Sequence, residues 1–293
     1  MPAARATVFV ATGACSFGTI SILVAIATNA GAPLLGVLAW RYLIAAIVLF
    51  VILLRMGRRP DGRGFRVMMT AGLMQSLIAV LSLSALRYIS VATLAFLFYT
   101  YPAFVAVLAR IRHSEPLSPP RLVALTLSLG GIFVMIGAPG SAALHPAGIA
   151  LALVSALLYA LYIPMLAAMQ RELSPLATAM YMTAGAAVFL GVAGIVQGEF
   201  TLWYPAAAWW SIIGLALVCT VTAFLLFLNG LAVLGPVRTA IVSTVEPFFT
   251  AVLGAAFLHQ PMTNSTFLGG GLIAAAVILL QVRSANGKAP AAV

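Results

Sequence analysis

Glu246 is the residue whose chemistry fits its sequence surroundings least well. It lies in the apolar stretch IVSTVEPFFTAVLG, residues 241 to 254, directly before Pro247. In a membrane helix a carboxyl group costs roughly 2.5–3.5 kcal/mol on insertion scales, and such groups face a cavity or a partner. We expect Glu246 to meet a substrate amine, relay a proton or accept backbone donors; a protonated, hydrogen-bonded structural Glu is the alternative.

Two apolar stretches carry side chains at helical spacing. The pattern i, i+3, i+4, i+7 puts residues on one helix face, and one such set is polar: Ser243, Glu246, Pro247 and Thr250, with Thr244 beside it. The matching set, in FLFYTYPAFVAVLA (96 to 109), is aromatic and apolar: Phe98, Tyr101, Pro102 and Val105, with Tyr99 beside it. Facing stripes of this kind are typical of a site for an amphiphilic small molecule. Plain packing is the alternative for the tyrosines.

Further polar and aromatic side chains in apolar stretches are candidates for the same site. They are Phe17, Gln75, Ser82, Ser155, Tyr159 and Tyr162. Polar side chains also hold membrane helices together, so a structural role is the alternative for each. Arg41, within another apolar stretch, is expected to snorkel outward or to pair with a carboxylate or a helix end, a structural role.

Enzyme and cofactor motifs are missing. The chain has no phosphate-binding glycine loop, no HExxH and no GxSxG. The sequence therefore predicts no catalytic residue, no metal site and no cofactor, and it does not support ATP-driven transport or intramembrane hydrolysis.

Composition places these residues in a membrane. Of 293 residues, 63% are hydrophobic and 7% charged, whereas a soluble domain carries about a quarter charged residues. The sequence predicts an all-α integral membrane protein with ten transmembrane helices of about 20 residues. The predicted spans are 7–28, 33–54, 66–86, 91–111, 121–138, 146–169, 175–196, 207–229, 236–258 and 265–283.

The charge pattern indicates orientation rather than a nucleic-acid partner. The net charge is +10, and arginines concentrate in alternate loops, such as 55–66 and 110–121. Short positively charged loops stay cytoplasmic, so both termini are expected in the cytoplasm. Arg87 is almost alone on the opposite side.

The two halves of the chain resemble each other. A shift of 145 residues brings PAFVAVL (102–108) onto PFFTAVL (247–253), and a three-residue slip upstream aligns Pro33 with Pro175 and Phe17 with Tyr159. The prediction is one structural domain of two five-helix repeats, 1–139 and 140–293. Because five is odd, the second repeat is inverted, which is typical of transporters with a central cavity.

Pro102 and Pro247 are predicted to break their helices beside that cavity and to act in gating. A proline within a helix collides with the carbonyl four residues before it, here that of Phe98 or Ser243. The freed carbonyl needs a partner in hydrocarbon. Ordinary kinks are the alternative.

The chain resembles the EamA-type drug/metabolite transporters. The resemblance is carried by ten spans in two halves, the proline strings in spans four and nine and the turn EPLS (115–118). It departs at HQPMT (259–263), where Gln260 replaces the acid. It implies a central cavity lined by spans one, three, four, six, eight and nine. Bacterial inner-membrane exporters of amino acids, aromatic ones among them, look similar.

These observations predict a secondary transporter or facilitator that exports amino acids, aromatic or large neutral, across the bacterial inner membrane by alternating access. An ion-coupled exporter of drugs or other metabolites is the nearest alternative, and a membrane-embedded lipid-modifying enzyme is the alternative of another class. The expected partners are a small-molecule amino acid and the lipid bilayer, without nucleic acid, and the chain is expected to be a monomer or a weak homodimer.

Overall fold

The computed structural model describes residues 1–57, 62–85, 87–89, 94, 97–112, 118–136, 145–258 and 264–286. Every regular element in these residues is a helix, which confirms the all-helical class. In chain order they are α1 (Ala3–Gly18), α2 (Ile20–Asn29), α3 (Leu34–Arg55), α4 (Arg63–Ala85), α5 (Tyr101–Ile111), α6 (Pro119–Ile136), α7 (Pro146–Met169), α8 (Pro175–Val196), α9 (Ala206–Ala216), the π-helical segment π1 (Leu217–Thr222), α10 (Ala223–Val242), α11 (Val245–Leu258) and α12 (Asn264–Asn286). Half of predicted span four before α5 (91–93, 95 and 96), nearly all of the EPLS turn and the turn at 259–263 lie outside the described residues.

Six stretches of the described residues are long and apolar enough to cross a membrane. They are Ala3–Asn29, Leu34–Arg55, Gly64–Ala85, Pro146–Met169, Pro175–Val196 and Ala206–Val242. Predicted spans two, six and seven agree with α3, α7 and α8 to within a residue. These three were easy to delimit because a proline stands at or just before each first turn, where its missing N–H is not needed.

Predicted spans one and eight are interrupted. The first bends at Thr19, between α1 and α2, and the eighth contains π1. The loop expected at 230–235 is wrong: the chain stays helical until Gly235, whose φ of 74° and ψ of 169° break the helix. Only glycine adopts this conformation without steric cost, and Pro236 follows it.

Pro102 and Pro247 do not stand where a clash would arise. Pro102 lies at the start of α5 and Pro247 is the third residue of α11. In a first turn the missing N–H costs nothing, and the N–H of Glu246 instead bonds the carbonyl of Ser243 at 3.1 Å. The helix breaks therefore precede the prolines, and the expected collisions with the carbonyls of Phe98 and Ser243 are wrong.

The helices pack in pairs that repeat between the two halves. The largest contacts join α6 with α12, α3 with α8, α4 with α8 and α1 with α10, followed by α4 with α7. The α1–α10 pair joins predicted spans one and eight, and α4–α7 joins spans three and six, so each is the counterpart of the other under exchange of the halves. The α1–α11 and α5–α7 pairs are related in the same way.

Glycines allow the closest of these approaches. A Cβ on Gly185 of α8 would lie 1.9 Å from the carbonyl oxygen of Met68 in α4, and a Cβ on Gly72 would lie 2.4 Å from the Cα of Gly185. The α4 and α8 backbones are thus in direct contact, and this brings the inner face of α4 against the second repeat.

Candidate functional site

A cavity of about 180 Å³ lies where the two halves meet. Its wall is drawn from α1, α2, α3, α4, α7, α10 and α11 and from the residues around the start of α5. Aromatic side chains form much of it: Phe17, Tyr42, Phe98, Tyr101, Tyr159 and Phe224. Four polar side chains interrupt them: Arg41, Gln75, Ser82 and Glu246. Six of the predicted residues, Phe17, Gln75, Ser82, Tyr101, Tyr159 and Glu246, therefore share one cavity.

The aromatic wall is a connected cluster. Tyr101 meets Tyr159 edge to face at 4.8 Å between ring centroids, and Phe98 lies 5.4 Å from Tyr159. On the other side Phe17 packs edge to face against Phe224 at 5.3 Å. Edge-to-face pairs hold ring orientation as well as burying area, so the wall has a defined shape.

Glu246 stands in the first turn of α11, directly after the helix break. The hydroxyl of Tyr99 lies close enough to the carboxyl to interact with it. Among the residues that the structure describes, no cationic nitrogen lies within 4.0 Å of the carboxyl. Tyr101 and Glu246 each precede the repeated proline by one residue, so equivalent positions of the two halves line the same cavity.

Gln75 and Ser82 of α4 differ in what they offer. The Nε2 of Gln75 donates to the hydroxyl of Tyr42 at 2.8 Å, and its Oε1 is buried without a hydrogen-bond partner. The hydroxyl of Ser82 donates to the carbonyl of Ile78 at 2.7 Å, one turn back. Gln75 thus keeps unused hydrogen-bonding capacity beside the cavity.

Arg41 does not snorkel. Its side chain is 4% exposed, it lines the cavity, and its Nε donates to the hydroxyl of Thr220 at 2.7 Å. A second guanidinium nitrogen donates to the carbonyl of Cys219 at 3.2 Å. The sequence analysis singled out Arg41 but gave it only a structural role. A lone cation in an apolar span, with no carboxylate three or four residues away, was the available signal that the side chain of Arg41 faces inward.

Four predicted site residues do not line this cavity. The hydroxyls of Ser155, Ser243 and Thr244 are buried and donate to carbonyls three or four residues earlier. The hydroxyl of Tyr162 points to the sulfur of Met182 at 3.5 Å. A position on a helix face predicts only the direction in which a side chain points. A hydroxyl that donates to a carbonyl a few residues earlier can pack in the core without another partner. Ser243 also lies in the break, so it does not continue the face of Glu246 and Thr250.

The helix interruptions meet beside the cavity. The hydroxyl of Thr250 in α11 donates to the carbonyl of Gly18 at 3.2 Å, at the end of α1. Thr19, the next residue, shares a hydrogen bond with the thiol of Cys219 in π1. The breaks in predicted spans one, eight and nine are therefore joined through hydrogen bonds.

A second cavity of about 310 Å³ adjoins the first and shares Leu38 and Leu83 with it. Arg87 and Glu199 line it, and the backbone N–H of Leu35 donates to Glu199 at 3.1 Å, so this carboxylate caps the start of α3. In the same loop, burial raises the pKa of the Tyr204 phenol. The shared leucines make this cavity a vestibule of the central one.

Metal chemistry has no support in the described residues. No group of three His, Cys, Asp or Glu side chains close enough to hold a metal ion occurs there. The cavity offers binding groups instead: one carboxyl, one guanidinium, one amide and an aromatic wall.

Comparison with known proteins identifies relatives of the whole chain. Residues 4–137 and 146–282 each match the sequence model of the EamA-like transporter family. An uncharacterized transporter of Archaeoglobus fulgidus is 26% identical over 262 residues, 89% of this chain and 91% of its own length. The uncharacterized transporter YcbK of Bacillus subtilis is 27% identical over 282 residues, 92% of this chain and 90% of its own. One solved crystal structure superposes with a TM-score of 0.82 over 95% of this chain and 98% of its own, at 17% identity, and so shares the fold.

Proposed function

The chain belongs to the EamA-like transporter family, and we propose that it exports amino acids, aromatic or large neutral ones, across the bacterial inner membrane. It is a multi-pass membrane protein of a transporter family, and we assign it no enzymatic activity. It acts as a secondary transporter or facilitator, so it draws on no bound nucleotide.

The proposed topology has ten spans and both termini in the cytoplasm. Residues 1–139 and 140–293 form two inverted repeats of one domain, and α3 starts at the outer face. The vestibule with Arg87 and Glu199 then opens outward. In alternating access the halves rock about the central cavity, and the breaks before Pro102 and Pro247 supply the bending points.

One observation carries this proposal: the cavity between the halves places the carboxyl of Glu246 in an aromatic wall. A carboxylate in low-dielectric surroundings binds an ammonium group strongly because water does not screen the pair. The rings of Phe17, Tyr101 and Tyr159 offer apolar contact to a side chain. An ammonium next to a large apolar side chain describes an aromatic or large neutral amino acid.

The cavity size bears on the nearest alternative, an ion-coupled exporter of drugs or other metabolites, because it argues against drugs. Sites for drug-sized ligands occupy about 300–1,000 Å³, whereas this cavity holds about 180 Å³. The volume favours a small metabolite. A lipid-modifying enzyme would need clustered acids or a nucleophile with its base, and the cavity has one carboxyl and neither Cys nor His in its wall.

Reconstitution into proteoliposomes tests the proposal. Uptake and counterflow of labelled phenylalanine, leucine and other metabolites are measured with and without ion gradients. Glu246→Gln keeps the size of the side chain but removes its charge, so we expect the half-saturating phenylalanine concentration to rise about tenfold or more.

Glu172→Gln is the matched control, because Glu172 is exposed between α7 and α8. It should transport like wild type. If wild-type protein moved other metabolites and no amino acid, the substrate class would be wrong. Wild-type kinetics in Glu246→Gln would remove Glu246 from the site.

A further inference from the structure

We propose that Arg41 binds the carboxylate of the transported molecule, so that the cavity selects a zwitterion over an amine. This rests on the proposed function, in which Glu246 receives the ammonium group. The two residues would then hold the two charges of an α-amino acid, and the aromatic wall would hold its side chain.

Arg41 buries a permanent charge. The guanidinium of Arg41 stays protonated in proteins, and its side chain is 4% exposed. Burying a charge is strongly unfavourable unless it is hydrogen-bonded and paired with an opposite charge. A residue that only braced π1 could do so with a neutral amide.

The described residues compensate the charge of Arg41 only in part. A guanidinium carries five N–H donors, and Arg41 gives one to Thr220 and one to the Cys219 carbonyl. The ring of Tyr42 lies 5.0 Å from its central carbon and adds a cation–π contact. No carboxylate oxygen of the described residues lies within 4.0 Å of its nitrogens.

The guanidinium of Arg41 is held in a defined orientation. In π1 the hydroxyl of Thr220 donates to the carbonyl of Leu215, five residues back, at 2.9 Å, and it accepts from Arg41. The guanidinium is thereby held on two sides while its residue lines the cavity. A planar guanidinium fixed in this way suits the two oxygens of a carboxylate, which it binds as a fork.

Arg41 and Glu246 line the same cavity. They do not pair with each other within 4.0 Å. A zwitterion supplies the missing counter-charge to each, which neither a simple amine nor a simple acid does.

A ligand series on the purified wild-type protein tests this without any substitution. L-phenylalanine, 2-phenylethylamine and 3-phenylpropionate share a ring, but the second lacks the carboxylate and the third the ammonium. Thermal stabilisation is measured against ligand concentration. We expect phenylalanine to half-saturate at a concentration at least tenfold lower than either analogue. Equal half-saturation by 2-phenylethylamine would overturn the proposal.

Variants assign the effect to Arg41. In Arg41→Gln phenylalanine should fall to the level of 2-phenylethylamine, whose own binding stays unchanged, and Arg41→Lys should recover part of the difference. Thr220→Val should weaken phenylalanine binding through the misplaced guanidinium, and Thr220→Ser should restore it. Arg171→Gln, an exposed cation after α7, is the control.

The outcomes separate this inference from the proposed function. If wild-type proteoliposomes carried no amino acid, both would fall. If they carried amino acids while Arg41→Gln still preferred phenylalanine to the amine, only the role of Arg41 would be wrong. Should Arg41→Gln fail to fold, the wild-type ligand series and Arg41→Lys still decide.

Discussion

At the scale of single residues, Tyr99 is the side chain that most directly controls Glu246. Its ring is buried and its hydroxyl lies close to the carboxyl. A carboxyl with a fixed donor keeps one orientation, which helps it to meet an incoming ammonium group at low entropic cost. The sequence indicated Tyr99 as a cavity residue, whereas the structure gives it a place behind the carboxyl.

Tyr99→Phe should therefore weaken binding while it preserves packing. A hydrogen bond to a charged group is worth about 1.5–3 kcal/mol, so we expect about a tenfold rise in half-saturating phenylalanine in the counterflow assay. Tyr162→Phe is the matched control, because its hydroxyl contacts Met182 outside the cavity, and it should change the value less than twofold. Equal effects of the two substitutions would contradict the role of Tyr99.

At this scale, residue type predicted which side chains line the cavity better than helix direction did. Glu246 and Gln75 were found because polar groups in apolar spans need partners. Arg41 was singled out as well, with outward snorkelling and pairing as its alternatives; the structure shows it bonded to π1, and the sequence of α3 carries no sign of which face meets π1. Ser155 and Thr244 share the chemistry of site residues, but the hydroxyl of each donates to the carbonyl three residues earlier in the chain.

At the scale of elements, apolar length predicted the helices, and tertiary contacts determined their breaks. The starts of α7 and α8 follow from Pro146 and Pro175 in their first turns. The bend at Thr19 and the segment π1 have no comparable local signal. Each depends on a bond to a distant helix, such as that between Thr19 and Cys219, which a single-sequence pattern does not contain.

The α4–α8 contact gives a prediction for stability. Gly185→Ala would place a Cβ 1.9 Å from the Met68 carbonyl oxygen, so the helices must separate, at a cost of about 1–3 kcal/mol. We expect a lower unfolding temperature in detergent. Gly191→Ala, in the same helix with nothing within 4 Å of the new Cβ, should leave it unchanged or raise it, since Ala is the better helix former.

If both substitutions lowered the unfolding temperature equally, loss of glycine itself would be responsible rather than the close crossing. If neither did, the α4 and α8 backbones would not be in contact in the folded protein. Size-exclusion profiles recorded after heating separate these outcomes, because unfolded protein leaves the monodisperse peak.

At the scale of the whole molecule, the ten-span topology makes a prediction about sides. Trp203, in the loop between α8 and α9, is 92% exposed, and Met56, after α3, is 59% exposed. In intact cells a membrane-impermeant maleimide should label Trp203→Cys, and it should label Met56→Cys only after permeabilisation. The unsubstituted chain, whose Cys15 and Cys219 lie within helices, gives the background.

Labelling of Met56→Cys from outside would reverse the orientation and turn the vestibule towards the cytoplasm. Export would then have to proceed from the side that holds Arg87 and Glu199. The positive residues of the short loops argue against this arrangement.

The equivalent positions of Tyr101 and Glu246 in the two halves also bear on the symmetry of the pocket. A dimer of identical five-helix chains would show every side chain twice across its axis, so its pocket would present two phenols or two carboxyls, never one of each. In a single chain the two halves can differ, and here one half carries a phenol and the other a carboxyl at equivalent positions of the cavity. The pocket is chemically asymmetric because the two halves differ at these positions.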